Sequence, residues 1–118
     1  MNRYDLASAV QRLLRFREER DWAQFHRPKE LAAGLAIEAA ELQELFLWRE
    51  GESAEVVRDD GERMERIREE LADVTNFVLM LAHDLDIDLA TAVDAKIDRN
   101  AKKYPAAEHR GVAKKANH

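Results

Sequence analysis

The sequence predicts an all-α fold, a four-helix bundle, and three observations carry that prediction. Apolar residues recur at spacings of three and four in four separate segments, and no segment alternates at period two. Breakers are sparse, with four glycines and two prolines in 118 residues. Hydrophobic residues make up 46% and charged residues 36%, a balance that fits a helical globular chain and excludes collagen-like, linker and disordered classes.

The first helix is expected from about Asn2 to Arg20. Leu6, Val10, Leu13 and Leu14 form its apolar face, and Arg15, Arg17, Glu18 and Glu19 cover the rest. Asp21 to Arg27 lacks a period and reads as a loop. Pro28 belongs to the first turn of the second helix, where a missing N–H costs nothing. That helix is expected to reach Glu50, stopped by Gly51 as its C-terminal cap, with Leu31, Leu35, Leu42, Leu45 and Phe46 as its seam. Glu52 to Gly61 is a connection with room for one helical turn around Val56 and Val57. The third helix should start at Gly61 or Glu62 and end near Asp84, burying Met64, Ile67, Leu71, Val74, Val78 and Leu81. Asp86 or Asp88 caps the fourth, which runs to about Lys103 and ends before Pro105. Residues 1–105 then form the domain, and 106–118 is a tail expected to fray. Short connections make neighbouring helices antiparallel, with the second and third, each about 30 Å long, at the centre.

The absence of cysteine excludes a disulfide framework, a zinc finger and a cysteine nucleophile. With 24 acidic against 19 basic residues the net charge is −5, which argues against a nucleic-acid partner. No stretch approaches the roughly 18 apolar residues of a membrane span. The first twenty residues carry too many charges for a secretory leader, so the expected address is the cytoplasm.

Acidic residues stand where the pattern wants leucine. At about 100° per residue, the seam 31, 35, 38, 42, 45 reads Leu, Leu, Glu, Leu, Leu, which puts Glu38 in the middle of the apolar face. Glu41 lies on the same side, whereas Glu44 lies opposite. The third helix repeats the pattern as Glu70 and Asp73, with Phe77 and Met80 beside Asp73. Carboxylates facing a core are costly unless a cation or donor meets them. Across an antiparallel pair of helices these four can meet, and hard oxygen ligands without sulfur or imidazole select Mg²⁺, with Mn²⁺ as a substitute. A single Glu-x-x-Glu is usually a solvated face, so spacing alone leaves both readings open. A di-iron bundle needs Glu-x-x-His, which the sequence lacks.

On the fourth helix Lys96 and Asn100 fall on or beside the line Leu89, Val93, Ile97, Tyr104. By spacing they read first as a snorkelling lysine and a helix-end amide, and second as phosphate ligands. Trp22, Phe25, His26 and Trp48 flank the acidic region, as core or as rings for a nucleobase. There is no Gly-rich Walker loop, so nucleotide chemistry here would not be P-loop chemistry.

The runs ERDWAQFHRPKELAAGLAIEAAELQELFLW and REELADVTNFVLMLAHDLDIDLATAVDAKIDRNAKKYP resemble the MazG-like all-α nucleotide pyrophosphohydrolases, in the branch that includes dCTP pyrophosphatases. Four ordered parts carry the resemblance: FHxP, ExxE with LFxW, EExxD, and KxxxNxxKYP. It implies hydrolysis of a nucleoside triphosphate between the α and β phosphates, giving the monophosphate and pyrophosphate. It also implies Mg²⁺ on Glu38, Glu41, Glu70 and Asp73, and phosphate and sugar contacts from Lys96, Asn100 and Tyr104. Trp22, His26 and Trp48 would line the base pocket, with Phe77 standing where many relatives have Tyr. Glu30 and Leu47 also depart from the common Asn and Gln. The expected assembly is a homodimer or homotetramer with sites at its interfaces.

Within that scheme Glu41 is the group to orient or deprotonate water, and Lys96 the one to stabilise charge on phosphate oxygens. The expected role is house-cleaning of (deoxy)nucleoside triphosphates, leaning to dCTP or modified dCTP. The alternatives are another pyrophosphate-linked nucleotide, such as phosphoribosyl-ATP, and a non-catalytic helical interaction module.

Overall fold

The computed structural model describes residues 4–112 and shows six helices with no strand among them. The chain divides into two compact units, residues 1–86 and 87–118.

In the first unit α1 spans Leu6–Glu19, because the Asp5 carboxylate accepts the Ser8 amide at 2.8 Å and caps it there. The expected start at Asn2 lies outside the described residues. A single 3₁₀ turn, Ala23–Phe25, leads to α2, Pro28–Glu44, which has Pro28 in its first turn. The expected extension to Glu50 is corrected. From Leu45 onward the amides bond back three residues, Leu45 to Leu42 at 3.1 Å and Phe46 to Gln43 at 3.0 Å. The Leu45 carbonyl, which another helical turn would need, accepts instead from the Arg63 guanidinium at 3.1 Å. Trp48 then takes a left-handed backbone (φ 64°), so Gly51 (φ 70°) lies in the following loop.

The connection contains α3, Ala54–Arg58, capped by the Ser53 hydroxyl. Asp60 caps α4, Gly61–Asp84, by accepting the Arg63 amide at 3.2 Å. α4 is the centre of this unit: α2 packs along it, and α1 and α3 also lie against it. Leu31, Leu45, Ile67, Leu79, Met80 and Ala82 are the buried apolar residues. Leu71, expected in the seam, sits at its edge and is half-exposed.

The second unit holds α5, Leu89–Lys103, capped by Asp88 through the Thr91 amide at 3.1 Å. Asp86, the other expected cap, has a left-handed backbone (φ 55°). α5 ends at Tyr104, ahead of Pro105, and one further helical turn follows, α6, Ala106–His109. The tail beyond residue 112 lies outside the described residues. No helix among the described residues is long and apolar enough to cross a membrane.

Candidate active site

Three contacts fix the register of α2 on α4. Gly34 meets Phe77, Glu38 meets Glu70, and Leu45 meets Arg63. As the numbers rise on one helix they fall on the other, so the two run antiparallel. One turn in from the Gly34 contact, carboxylate oxygens of Glu38, Glu41 and Glu70, one from each residue, all lie within 4.8 Å of one another. Glu38 and Glu70 are half-buried and Glu41 is exposed.

Among the described residues of the first unit, no basic side chain forms an ion pair with any of the three. Hydrogen bonding to Glu70, then to Glu41, pushes the Glu38 carboxyl up to about 7, with lost hydration and the charges of Glu41 and Asp73 adding to it. The Oε2 atoms of Glu38 and Glu70 are buried without a hydrogen-bond partner. Buried carboxylate oxygens that find no donor, in a set made only of oxygen ligands, fit a hard divalent cation. Asp73, expected as a fourth ligand, stays outside this trio. It is exposed and stands beside Glu38 on the wall of a cavity.

That cavity measures about 520 Å³ and lies within the first unit, with more apolar than polar lining. Trp22 and His26, expected at the base, and Phe77, expected among the substrate-binding residues, are part of its wall with Glu38, Asp73 and Asn76. The Trp22 ring stands edge-on to Phe16 (5.6 Å) and to His26 (6.0 Å). Burial, with the Arg17 charge adding, holds the His26 imidazole below its ordinary value, so it is neutral at pH 7, and its Nδ1 is buried without a partner.

α1 supplies the remaining wall through Arg12, Leu13, Phe16 and Arg17. Sequence reasoning put Arg17 on the solvated side, yet it stands one turn after Leu13 and therefore on the apolar face; that placement was the available signal. Its guanidinium grips Asp84 with two bonds of 2.7 and 2.9 Å and ties α1 to the end of α4. The same pairing lowers the Asp84 carboxyl.

Trp48 lines neither this cavity nor the acidic trio and is 96% exposed. Lys96 and Asn100 stand one turn apart on the exposed surface of α5, and Tyr104 is its C-terminal cap, edge-on to His109 at 5.2 Å.

Sequence reasoning also missed the buried Arg63. It bonds Glu52 twice, at 3.0 and 2.8 Å, reaches Asp60 at 3.2 Å and closes α2 through the Leu45 carbonyl. Arg63 in turn holds the Glu52 carboxyl below its ordinary value.

A model of the MazG-like family matches residues 34–118. The chain is 41% identical over 101 residues to dCTP pyrophosphatase 1 from Homo sapiens, covering 85% of this chain and 59% of that protein. To dCTP pyrophosphatase 1 from Bos taurus it is 38% identical over 98 residues, covering 83% of this chain and 58% of that protein. It therefore spans less than two thirds of the length of these relatives. Among solved structures, a pyrophosphatase from Archaeoglobus fulgidus superposes with a TM-score of 0.70 at 34% identity, covering 89% of this chain and 96% of that one.

Proposed function

The chain belongs to the MazG-like family, and from that premise we propose that it hydrolyses nucleoside triphosphates between the α and β phosphates, releasing pyrophosphate. The observation that carries this reading is the trio Glu38, Glu41 and Glu70, gathered within 4.8 Å of one another beside an aromatic-walled cavity. Glu38, Glu41 and Glu70 would hold Mg²⁺, or Mn²⁺ in its place, with Asp73 next to them. When bound, the ion supplies charge neutralisation for the triphosphate and a more acidic water.

The chain's own groups divide the remaining work. Glu41, the exposed member of the trio, is placed to accept a proton from water at its carboxylate. Trp22 and Phe77 offer faces to a base and sugar, and neutral His26 offers a hydrogen bond from a ring nitrogen that has no partner in the protein. Lys96, Asn100 and Tyr104 are proposed for the phosphates and sugar, from the family motif they match. Trp48 is exposed and outside the cavity. It would serve a base pocket across an interface between copies, in keeping with a homodimer or homotetramer. The relatives named dCTP pyrophosphatase 1 favour dCTP or a modified dCTP as substrate, and a house-cleaning role in the cytoplasm.

The test is pyrophosphate release from a panel of canonical and modified NTPs and dNTPs, with Mg²⁺ and with EDTA. Metal-dependent pyrophosphate release, fastest with a cytosine deoxynucleotide, is expected. Release of orthophosphate, or silence across the panel, would overturn the reading.

A further inference from the structure

Gly34 stands inside α2, one turn before Glu38, and Phe77 stands on α4, one turn after Asp73. A Cβ built on Gly34 would lie 2.6 Å from Cζ of the Phe77 ring, 2.7 Å from Cε1 and 3.2 Å from Cε2. Carbon atoms in contact settle at about 3.5–4.0 Å. The tip of the ring therefore fills the place that a side chain at position 34 would take.

Gly34 lies in regular helix, so nothing in its own backbone asks for glycine, and a glycine there weakens α2 relative to alanine. What needs the missing side chain is the ring. That same ring is part of the cavity wall, together with Glu38, Asp73 and His26, whereas Gly34 is not. Cζ is the ring atom nearest Gly34, so a tyrosine hydroxyl in this pose would run into α2. The lack of a hydroxyl at Phe77 and the lack of a methyl at Gly34 are thus two halves of one fit.

We propose that Gly34 is a positioning residue for substrate: it is the notch that seats the tip of Phe77, and so sets how far the ring stands into the cavity and how large a base or sugar group fits beside it. The identity of that occupant rests on the pyrophosphohydrolase reading, but the position of the ring does not.

A Cβ at position 34 can be relieved in two ways. The ring can turn out into the 520 Å³ cavity, or α2 can draw away from α4. The first narrows the cavity and leaves the acidic trio in place. The second separates Glu38 from Glu70, one turn along, and raises the metal requirement. Moving a ring toward open space disturbs fewer packed atoms than parting two helices, so the first governs.

The experiment compares the wild-type protein, Gly34→Ala and Gly34→Ala/Phe77→Leu. It reads steady-state kinetics with the best nucleotide of the panel, Mg²⁺ half-saturation, and the substrate-free crystal structure of each. For Gly34→Ala the expected KM rises roughly five- to tenfold, with kcat within about twofold, unchanged Mg²⁺ half-saturation, and the Phe77 ring displaced into the cavity. Leucine is shorter than the ring and clears the new methyl but removes the face offered to substrate. In the double variant that leucine should therefore stay seated against α2 rather than stand in the cavity, while KM remains raised.

An unchanged KM, a ring that stays put, or a leucine displaced into the cavity of the double variant overturns the proposal. If the wild-type protein hydrolyses nothing, the enzymatic reading falls, and the notch is still judged by where the ring stands in the Gly34→Ala crystal. Should that variant not fold, Phe77→Tyr loads the same notch from the other side and is read in the same way.

Discussion

Two charged clusters sit on the same pair of helices and solve opposite problems. Where α2 ends, Arg63 is buried with Glu52 and Asp60 around it, and every charge there meets its opposite. Further along, Glu38, Glu41 and Glu70 crowd together, and among the described residues of the first unit no basic side chain pairs with them. The carboxyls answer accordingly: Arg63 holds Glu52 below its ordinary value, while its acidic neighbours push Glu38 up to about 7. A compensated cluster closes a helix and orders a loop. An uncompensated one stores repulsion that a divalent ion would relieve, and on the proposed function that separates the structural charges of this fold from the working ones.

The largest test of that contrast is Glu38→Gln. Glutamine keeps the shape and one oxygen but removes the charge that a metal ion needs. Turnover should fall on the order of a thousandfold, while helicity by circular dichroism and thermal stability without metal are kept. A variant that retains near-full rate would place the working charges elsewhere.

Arg63→Met should do the reverse. It leaves Glu52 and Asp60 with only their longer ion pairs to Arg49 and the Leu45 carbonyl without its donor, so the melting midpoint should fall by roughly 5 °C or more. Below that midpoint the rate per folded molecule should stay within a few-fold of wild type. Loss of activity in a protein as stable as wild type would erase the distinction between the two clusters.

The contrast was only half legible in the sequence. Glu38 announced itself, because a glutamate in the middle of a leucine seam needs a reason, and the span of α4 followed from its spacing of threes and fours. The limits of α2 were not legible. Its end is decided by a side chain eighteen residues away that takes the Leu45 carbonyl, and no local pattern contains that. Arg17 was overlooked for a different reason: a charged residue beside Arg15 and Glu18 reads as part of the solvated side, and its partner, Asp84, comes from the far end of α4, 67 residues away. The trio reads as a quartet in sequence, because Glu70 and Asp73 sit three apart. In space the oxygens of Glu38, Glu41 and Glu70 come within 4.8 Å of one another, and Asp73 stands beside Glu38 on the cavity wall.

The smallest expected effect is also the one that sets the two clusters against each other in a single titration. A carboxyl raised from 4.5 to about 7 keeps its proton in the folded protein at pH values where the unfolded chain has lost it. Glu38 therefore favours the metal-free fold most below about pH 4.5, and that support drains away as pH climbs toward 7. Glu52 is depressed, so its contribution is present above the ordinary carboxylate value and is lost only as pH falls through its lowered one. Between about pH 5 and pH 8 Glu52 stays ionised while Glu38 titrates, and His26, held below its ordinary value, adds an opposite trend that the wild-type protein and Glu38→Gln share. In EDTA the melting midpoint of the wild-type protein should decline across that range, by a few degrees. On the proposed function Mg²⁺ would be held by the ionised trio, and the stabilisation it adds should then grow over the same range. Glu38→Gln should flatten the decline in EDTA and blunt the response to Mg²⁺. If the wild-type midpoint in EDTA does not fall with pH relative to that of Glu38→Gln, the trio is not short of positive charge, and some other group is already compensating it.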